Sequence, residues 1–258
     1  KFKYIPYNRL FRRTEFLEVG GYGRFEAYAN RNSLKYQYIY GLENIETLYR
    51  GTIRRVGFSK AWQIFIALGM TDDSYIIEDS EAMSYRDFIN SFLPYSPSDS
   101  VELKLRHQLK IDQDDILWDK LKELDLFNAQ KKVGLKNATP AQILQKILMD
   151  SWSLKQADKD MIVMYHKFGY ELSGKKHQID ATMVCIGENQ TYTAMAKTVG
   201  LPVAIATLMV LNNEIKLKGV KIPIENLTYK PILKELDDFG ITFHEKHVNY
   251  LGYNALNT

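Results

Sequence analysis

The chain has 258 residues, enough for one large domain or two small ones with a substantial hydrophobic core. With 34 Lys and Arg against 31 Asp and Glu, its net charge is only +3 and its basic residues are scattered, which argues against a dedicated nucleic-acid-binding protein. The single cysteine, Cys185, excludes a disulfide framework and a thiolate metal site, and its apolar neighbours favour a buried side chain.

The first segment predicts a hairpin followed by a short helix. A glycine-rich turn at 20–23 precedes an alternating, aromatic-rich strand at 24–29. A dinucleotide-binding loop would need a helix after its glycines, so we interpret these as a hairpin turn. A polar turn at 30–33 then leads to a short helix that Ser33 can cap and Gly41 can end.

Residues 47–56 alternate again and predict a strand with Arg50, Thr52 and Arg54 in one row. The predicted helix start lies beside this row, and its free N–H groups favour an anion. Guanidinium, hydroxyl and amide donors together suit a ligand that carries carboxylates. The same spacing is also typical of a solvated arginine beside an ordinary capped helix, and spacing alone favours that simpler interpretation.

The middle of the chain predicts helices only. A helix at 59–68, capped by Ser59, is followed by helices that begin at Ser84, Ser98, Asp112 and Thr139. Their acidic faces argue against a DNA-binding helix-turn-helix, because phosphate requires the opposite charge. The acidic cluster also lacks calcium-loop spacing, so a solvated helix face is expected.

Strands return near residue 160. A strand hairpin is predicted at 161–171 and 177–186, and a long apolar helix begins at about 191. An amphipathic helix at 228–239 and a last strand at 241–245 follow. Pro202 should kink or split the long helix. The polar tail after residue 245 should be loosely held.

The sequence as a whole predicts an α+β fold, an α/β sandwich with a mixed β-sheet covered by helices. We expect a discontinuous α/β domain at 1–72 and 154–258, with an all-helical domain at 73–153 inserted into it. The histidines show no helical H-x-x-x-H pair, so no metal site is expected, and His166 should pack on a strand. The apolar run at 199–211 is shorter than the roughly 20 residues of a membrane span, and no signal peptide is visible, so we expect a cytoplasmic protein.

Several segments carry a family resemblance. AYANRNSLKY and LYRGTIRRVGF resemble the YPNRDS and RGTLRYxG signature of glutamate-forming saccharopine dehydrogenases, with Ala29 and Asn32 as departures. TYTAMAKTVGLPVAIATLMVL resembles the family's SAMARTVGLPAAIA segment. DMIVMYHKFGYEL and YKPILKELDDFGITF resemble a late strand and the closing helix and strand.

The resemblance implies a role within a larger enzyme. This chain looks like the substrate-binding and dimerisation part of an oxidoreductase that interconverts saccharopine with glutamate and aminoadipate semialdehyde in lysine metabolism. The NAD(P) would be held by an N-terminal Rossmann domain, since no G-x-G-x-x-G occurs here; no cofactor and no catalytic residue are expected on this chain, which alone should be inactive. The implied partners are an amino-acid substrate, that Rossmann domain and a second copy, with no nucleic acid or membrane.

Site residues are carried over only where the motif matches. Arg50 and Thr52 come from the RGT match, and Asn30, Arg31 and Ser33 come from the turn match; all would bind substrate. Nothing is carried onto Asn32, where the motif departs. Two alternatives remain: a carboxynorspermidine dehydrogenase-like enzyme with a substrate of fewer carboxylates, or a non-catalytic assembly domain.

Overall fold

The structure, a computed structural model, describes residues 4–30 and 32–252. The helices are α1 (Lys35–Ile39), α2 (Phe58–Leu68), α3 (Tyr85–Asn90), α4 (Val101–Leu109), α5 (Ile116–Glu123), α6 (Pro140–Trp152), α7 (Ala194–Leu211) and α8 (Asn226–Asp238). The strands are β1 (Thr14–Val19), β2 (Gly23–Ala29), β3 (Gly51–Arg55), β4 (Met161–Leu172), β5 (Lys175–Ile186) and β6 (His244–Val248). Short 3₁₀ turns lie at Tyr7–Arg12 and Ser80–Ala82.

The strands form two sheets within the described ranges, in the orders β1-β2-β3 and β4-β5-β6. In the second sheet β5 pairs antiparallel with both neighbours. Its hairpin turns at Ser173 and Gly174, whose φ angles of 54° and 73° suit a tight two-residue turn. The predicted α+β class is confirmed, although the strands form two sheets, the second wholly antiparallel, instead of one mixed sheet.

Contacts divide the chain into two compact units. The helical unit comprises residues 4–18, 24–29 and 54–153, and the sheet unit comprises the rest of the described chain. The strands of the first sheet contribute residues to both units. The domain boundaries expected from sequence, 1–72 with 154–258 and 73–153, stay a prediction.

The main hydrophobic cluster of the helical unit is formed by buried residues from 64–148. Its helix starts follow side-chain capping. Ser84 and Thr139 form the predicted caps, each within a reciprocal capping box. Two helices begin later than predicted, because Ser100 and Asp115 supply the caps, accepting from the backbone N–H groups two or three residues on.

The sheet unit packs α7 against β4 and β5, and α8 against α7. Its core includes Met183, Ile205, Met209 and Leu236. Pro202 does not split α7, which is one helix from Ala194 to Leu211. By length and apolar composition alone, α7 is the one helix in the described ranges that could cross a membrane, and one such helix is weak evidence.

The segment after β6 is held in place, contrary to the loosely held tail expected from sequence. Gln178 is almost fully buried, and its Oε1 accepts a hydrogen bond from the Leu251 N–H at 3.1 Å. The Tyr250 ring lies against Gly169, 3.0 Å from the place that a Cβ would take. Residues 249–252 are therefore anchored on the hairpin; the rest of the predicted tail lies outside the described residues.

Carboxyl groups from elsewhere in the chain close two helix N-termini. In the helical unit, buried Glu26 accepts hydrogen bonds from the N–H groups of Gly57 (3.2 Å) and Ser59 (2.6 Å) at the start of α2. In the sheet unit, Asp160 accepts from Ala194 (2.6 Å) and Met195 (2.9 Å) at the start of α7. Ser59 was predicted to cap α2 but does not. Acidic side chains already occupy the starts of both α2 and α7.

Candidate functional site

A polar cleft of about 410 Å³ opens in the sheet unit, between the turn after β2 and the residues just before β3. Its lining comprises two cationic, two amide and one phenol side chain, from Lys35, Arg50, Asn30, Asn32 and Tyr36.

Backbone and side-chain hydrogen bonds shape this cleft. The Asn30 N–H donates to the Arg50 carbonyl at 2.9 Å, which makes these two residues neighbours although they are distant in sequence. Asn32 Oδ1 accepts from the Leu34 N–H at 3.0 Å, forming an Asx turn that leads into α1. The Gln37 side-chain amide donates to the Glu43 carbonyl at 2.8 Å and fastens the loop after α1.

Two cations share one aromatic ring in the cleft. The Arg50 guanidinium carbon lies 3.9 Å from the centroid of the Tyr36 ring, and Lys35 Nζ lies 5.2 Å from the same centroid. No carboxylate of the described residues forms an ion pair with either cation. The positive charge is therefore not neutralised within this part of the structure, and the cleft suits an anionic group.

The structure brings together some of the residues predicted for the site. Asn30 and Arg50 line the cleft, whereas Thr52 is a half-buried residue of β3 outside the lining. Ser33 accepts the Tyr36 N–H through its backbone carbonyl at 3.2 Å. Arg31 lies outside the described residues. Of the five predicted residues, two that the structure describes, Asn30 and Arg50, line the cleft.

Two local predictions are wrong. Ser33 does not cap α1: the residue before the helix is Leu34, which makes no side-chain cap hydrogen bond. The predicted strand at 47–56 begins only at Gly51, so Arg50 precedes it instead of sharing a strand row with Thr52 and Arg54.

The idea of an anion held by the helix start also fails. Helix α1 has five residues, too few for an N-terminus of useful dipole strength. The donors in the cleft are side chains instead.

Sequence reasoning missed three lining residues: Asn32, Lys35 and Tyr36. Asn32 was set aside because it departs from the family motif, yet Asn keeps the side-chain acceptor that an Asx turn requires. The spacing of Tyr36 and Tyr40 was a usable signal, because residues four apart share a helix face.

A second, apolar cleft of about 460 Å³ lies in the helical unit, lined by α2 and α6 residues that include Trp62, Leu148, Met149 and Trp152. Its lining contains no acidic, basic or histidine side chain. Tyr7 is the one titratable group in the lining, so the cleft offers little for acid–base chemistry. Among the described residues, no group of three or more His, Cys, Asp or Glu could hold a metal ion.

Two shifted pKa values in the helical unit have structural causes. In the helical unit, burial and the hydrogen bond to Asp150 raise the pKa of Tyr85. The hydrogen bond from Arg86 lowers the pKa of the Glu102 carboxyl. Both shifts are explained by partners within the packed helices, and neither marks a reactive group.

Comparison with known proteins gives consistent results. Residues 1–241 match the family described as saccharopine dehydrogenase C-terminal domain. The chain is 33% identical to mitochondrial alpha-aminoadipic semialdehyde synthase of Rattus norvegicus over 225 residues, which are 85% of this chain and 24% of that protein. It is 31% identical to the NADP(+), L-glutamate-forming saccharopine dehydrogenase of Saccharomyces cerevisiae over 236 residues, which are 87% of this chain and 51% of that protein.

A solved structure agrees with these matches. Apo saccharopine dehydrogenase (L-Glu forming) from Saccharomyces cerevisiae superimposes with a TM-score of 0.81 at 28% identity, covering 93% of this chain and 55% of that one. The chain thus spans about half the length of the yeast protein and about a quarter of the rat protein. On its match over nearly its whole length, the chain belongs to the saccharopine dehydrogenase C-terminal domain family.

Proposed function

We propose that this chain is the substrate-binding and dimerisation portion of a saccharopine dehydrogenase-like oxidoreductase of lysine metabolism. The parent enzyme would interconvert saccharopine with glutamate and aminoadipate semialdehyde. The observation that carries the proposal is the cleft in which Arg50 and Lys35 lie without a carboxylate partner among the described residues.

The cleft chemistry suits a substrate with several carboxylates. The Arg50 guanidinium can hold one carboxylate through two parallel N–H bonds, and the Asn30 amide can donate another bond. Thr52, Ser33 and Arg31 remain proposed contacts on the family match alone.

The starts of α2 and α7 do not suit the pyrophosphate of a nicotinamide coenzyme. A pyrophosphate is commonly held at a free helix N-terminus, but the starts of α2 and α7 are closed by Glu26 and Asp160. An acidic group there disfavours a second anion. We therefore assign NAD(P) to a domain outside this chain, and calorimetry should show no low-micromolar binding of NADPH or NADH; such binding would contradict this assignment.

The test of the substrate site is Arg50→Lys in the parent enzyme. An ammonium lacks the planar fork and loses one of the two parallel bonds, worth about 1.5–3 kcal/mol, so the apparent KM for saccharopine should rise roughly ten- to hundredfold. The nicotinamide KM should stay unchanged. Arg9→Lys, at an exposed arginine of the first 3₁₀ turn, is the matched control. Unchanged saccharopine KM and kcat in Arg50→Lys would refute the site.

The dimerisation part of the proposal is supported by an apolar surface in the sheet unit. Helix α7 exposes Val203 (64%), Leu208 (60%) and Leu211 (70%) to solvent. Exposed apolar surface of this kind is typical of an interface. Sedimentation velocity at micromolar concentration should show a dimer that Leu208→Glu dissociates; a monomeric unaltered chain would refute this part.

A further inference from the structure

The shortest helix of the sheet unit carries a stack of aromatic and cationic groups. Tyr36 and Tyr40, one turn apart on α1, have ring centroids 5.6 Å apart and planes inclined by 25°. The Arg50 guanidinium carbon lies 3.9 Å over the Tyr36 ring. We call these three residues the tyrosine–arginine stack.

We propose that Tyr36 is a positioning residue for Arg50, holding its guanidinium so that the N–H edge faces a substrate carboxylate. This inference rests on the proposed function of the cleft.

Stacking and carboxylate binding use different parts of a guanidinium. The flat face of the group contacts an aromatic ring, while its N–H bonds lie in the plane and stay available for a bidentate pair. One contact therefore does not compete with the other. Tyr36 can hold Arg50 both before and during carboxylate binding.

Arg50 needs such support because little else restrains its side chain. The residue is exposed, and no carboxylate of the described chain pairs with it. Its backbone is fixed, since its carbonyl accepts the Asn30 N–H at 2.9 Å. With the backbone fixed, the half-buried Tyr36 ring limits the remaining side-chain freedom, which lowers the entropic cost of binding a carboxylate.

The experiment compares three variants of the full chain. Tyr36→Leu removes the ring, Tyr36→Phe keeps it, and Tyr38→Leu is the matched control at a tyrosine of the same helix that is 73% exposed. With ¹⁵N-labelled arginine, the Arg50 Nε–H resonance, assigned through Arg50→Lys, reports whether an aromatic ring lies over the guanidinium. Titration with saccharopine on the same samples gives the affinity.

In Tyr36→Leu, we expect the Arg50 resonance to lose its ring-induced shift and the saccharopine affinity to fall roughly two- to fivefold, the worth of an exposed cation–π contact. Tyr36→Phe and Tyr38→Leu should keep both values. An unmoved Arg50 resonance, or an unchanged affinity, in Tyr36→Leu refutes the positioning role.

Failure of the proposed function gives a different pattern. If saccharopine does not bind the unaltered chain, the substrate role of the stack is overturned with it. The Arg50 resonance would still respond to loss of the Tyr36 ring, so the two failures are distinguishable.

Discussion

Replacement of Gly187 by alanine tests how the sheet unit fastens its long helix. Gly187 follows β5, and its N–H donates to the Asp160 carbonyl at 2.9 Å. A Cβ on this residue would lie 2.2 Å from Asp160 Oδ1 and 2.8 Å from the Ala194 nitrogen. The added methyl group therefore occupies the space in which the Asp160 carboxyl meets the start of α7.

The cost follows from the hydrogen bonds that the methyl group displaces. Asp160 accepts from Ala194 and Met195 at 2.6 and 2.9 Å, and hydrogen bonds to charged groups contribute about 1.5–3 kcal/mol each. Because Asp160 is only half-buried, the lower end applies, giving a loss of about 3 kcal/mol for both bonds. With an m-value of roughly 2 kcal/mol per M, the urea midpoint of the sheet unit should fall by about 1.5 M.

The assay must report on the sheet unit. All three tryptophans, at 62, 118 and 152, belong to the helical unit, so their fluorescence follows that unit instead. Urea unfolding is therefore followed by the NMR amide signals of β4 and β5, together with amide hydrogen exchange at Ala194 and Met195, which should become faster in Gly187→Ala.

Gly200→Ala is the matched control, because it adds the same methyl group within α7. A Cβ on Gly200 would meet nothing within 4 Å, and alanine favours a helix by up to about 1 kcal/mol over glycine. This variant should be neutral or more stable. Equal urea midpoints and equal exchange rates for Gly187→Ala and the unaltered chain would refute the reasoning.

Three further outcomes are expected. Glu26→Gln should lower the stability of the helical unit by roughly 1–3 kcal/mol, because a buried carboxyl that accepts the Ser59 N–H at 2.6 Å becomes a neutral amide; tryptophan fluorescence in urea measures this, and an unchanged midpoint refutes it. Burial lowers the pKa of His166 below 6.5, so stability present above that pH is lost as the pH falls through the lowered pKa. His166→Phe should therefore lose less stability than the unaltered chain between about pH 7.5 and about pH 5.5, and equal losses would contradict this. Gln178→Leu should speed hydrogen exchange at Leu251, and unchanged protection there would show that the anchor lies elsewhere.

The sequence predicted best those elements that are defined by local chemistry. Thr139 with Pro140 and Gln142 indicated the start of α6, and Ser84 indicated the start of α3; both follow because a cap is made within three residues. The hairpin of strands at 161–171 and 177–186 was predicted for the same reason, since a turn and alternating strands are local patterns; the structure places its two-residue turn at Ser173 and Gly174.

Elements closed by distant residues were not predictable in this way. Ser59 has the residue type of a cap, but Glu26, which lies far away in the sequence, takes that role. Gln178 anchors Leu251 across an even longer separation. Such long-range pairs leave no periodic pattern in the chain.

The candidate site was predictable in part. The motif match identified Asn30 and Arg50, which lie in one cleft, but could not reveal Tyr36 or Lys35, because the ring contact depends on how α1 returns toward Arg50. The predicted strand at 47–56 also placed Arg50 wrongly, since Arg50 lies just before β3.

The division of the chain has a consequence for the order of events during protein synthesis. The main hydrophobic cluster of the helical unit comes from residues 64–148, so it can form as soon as that continuous segment has left the ribosome. The cleft residues between Asn30 and Arg50 belong instead to a unit whose other large segment begins at residue 154. At the usual rate of roughly 5–20 residues per second, these residues wait on the order of 5–20 s for that segment. During that interval the cleft segment of the nascent chain depends on its own local hydrogen bonds and on the stacking of its aromatic rings.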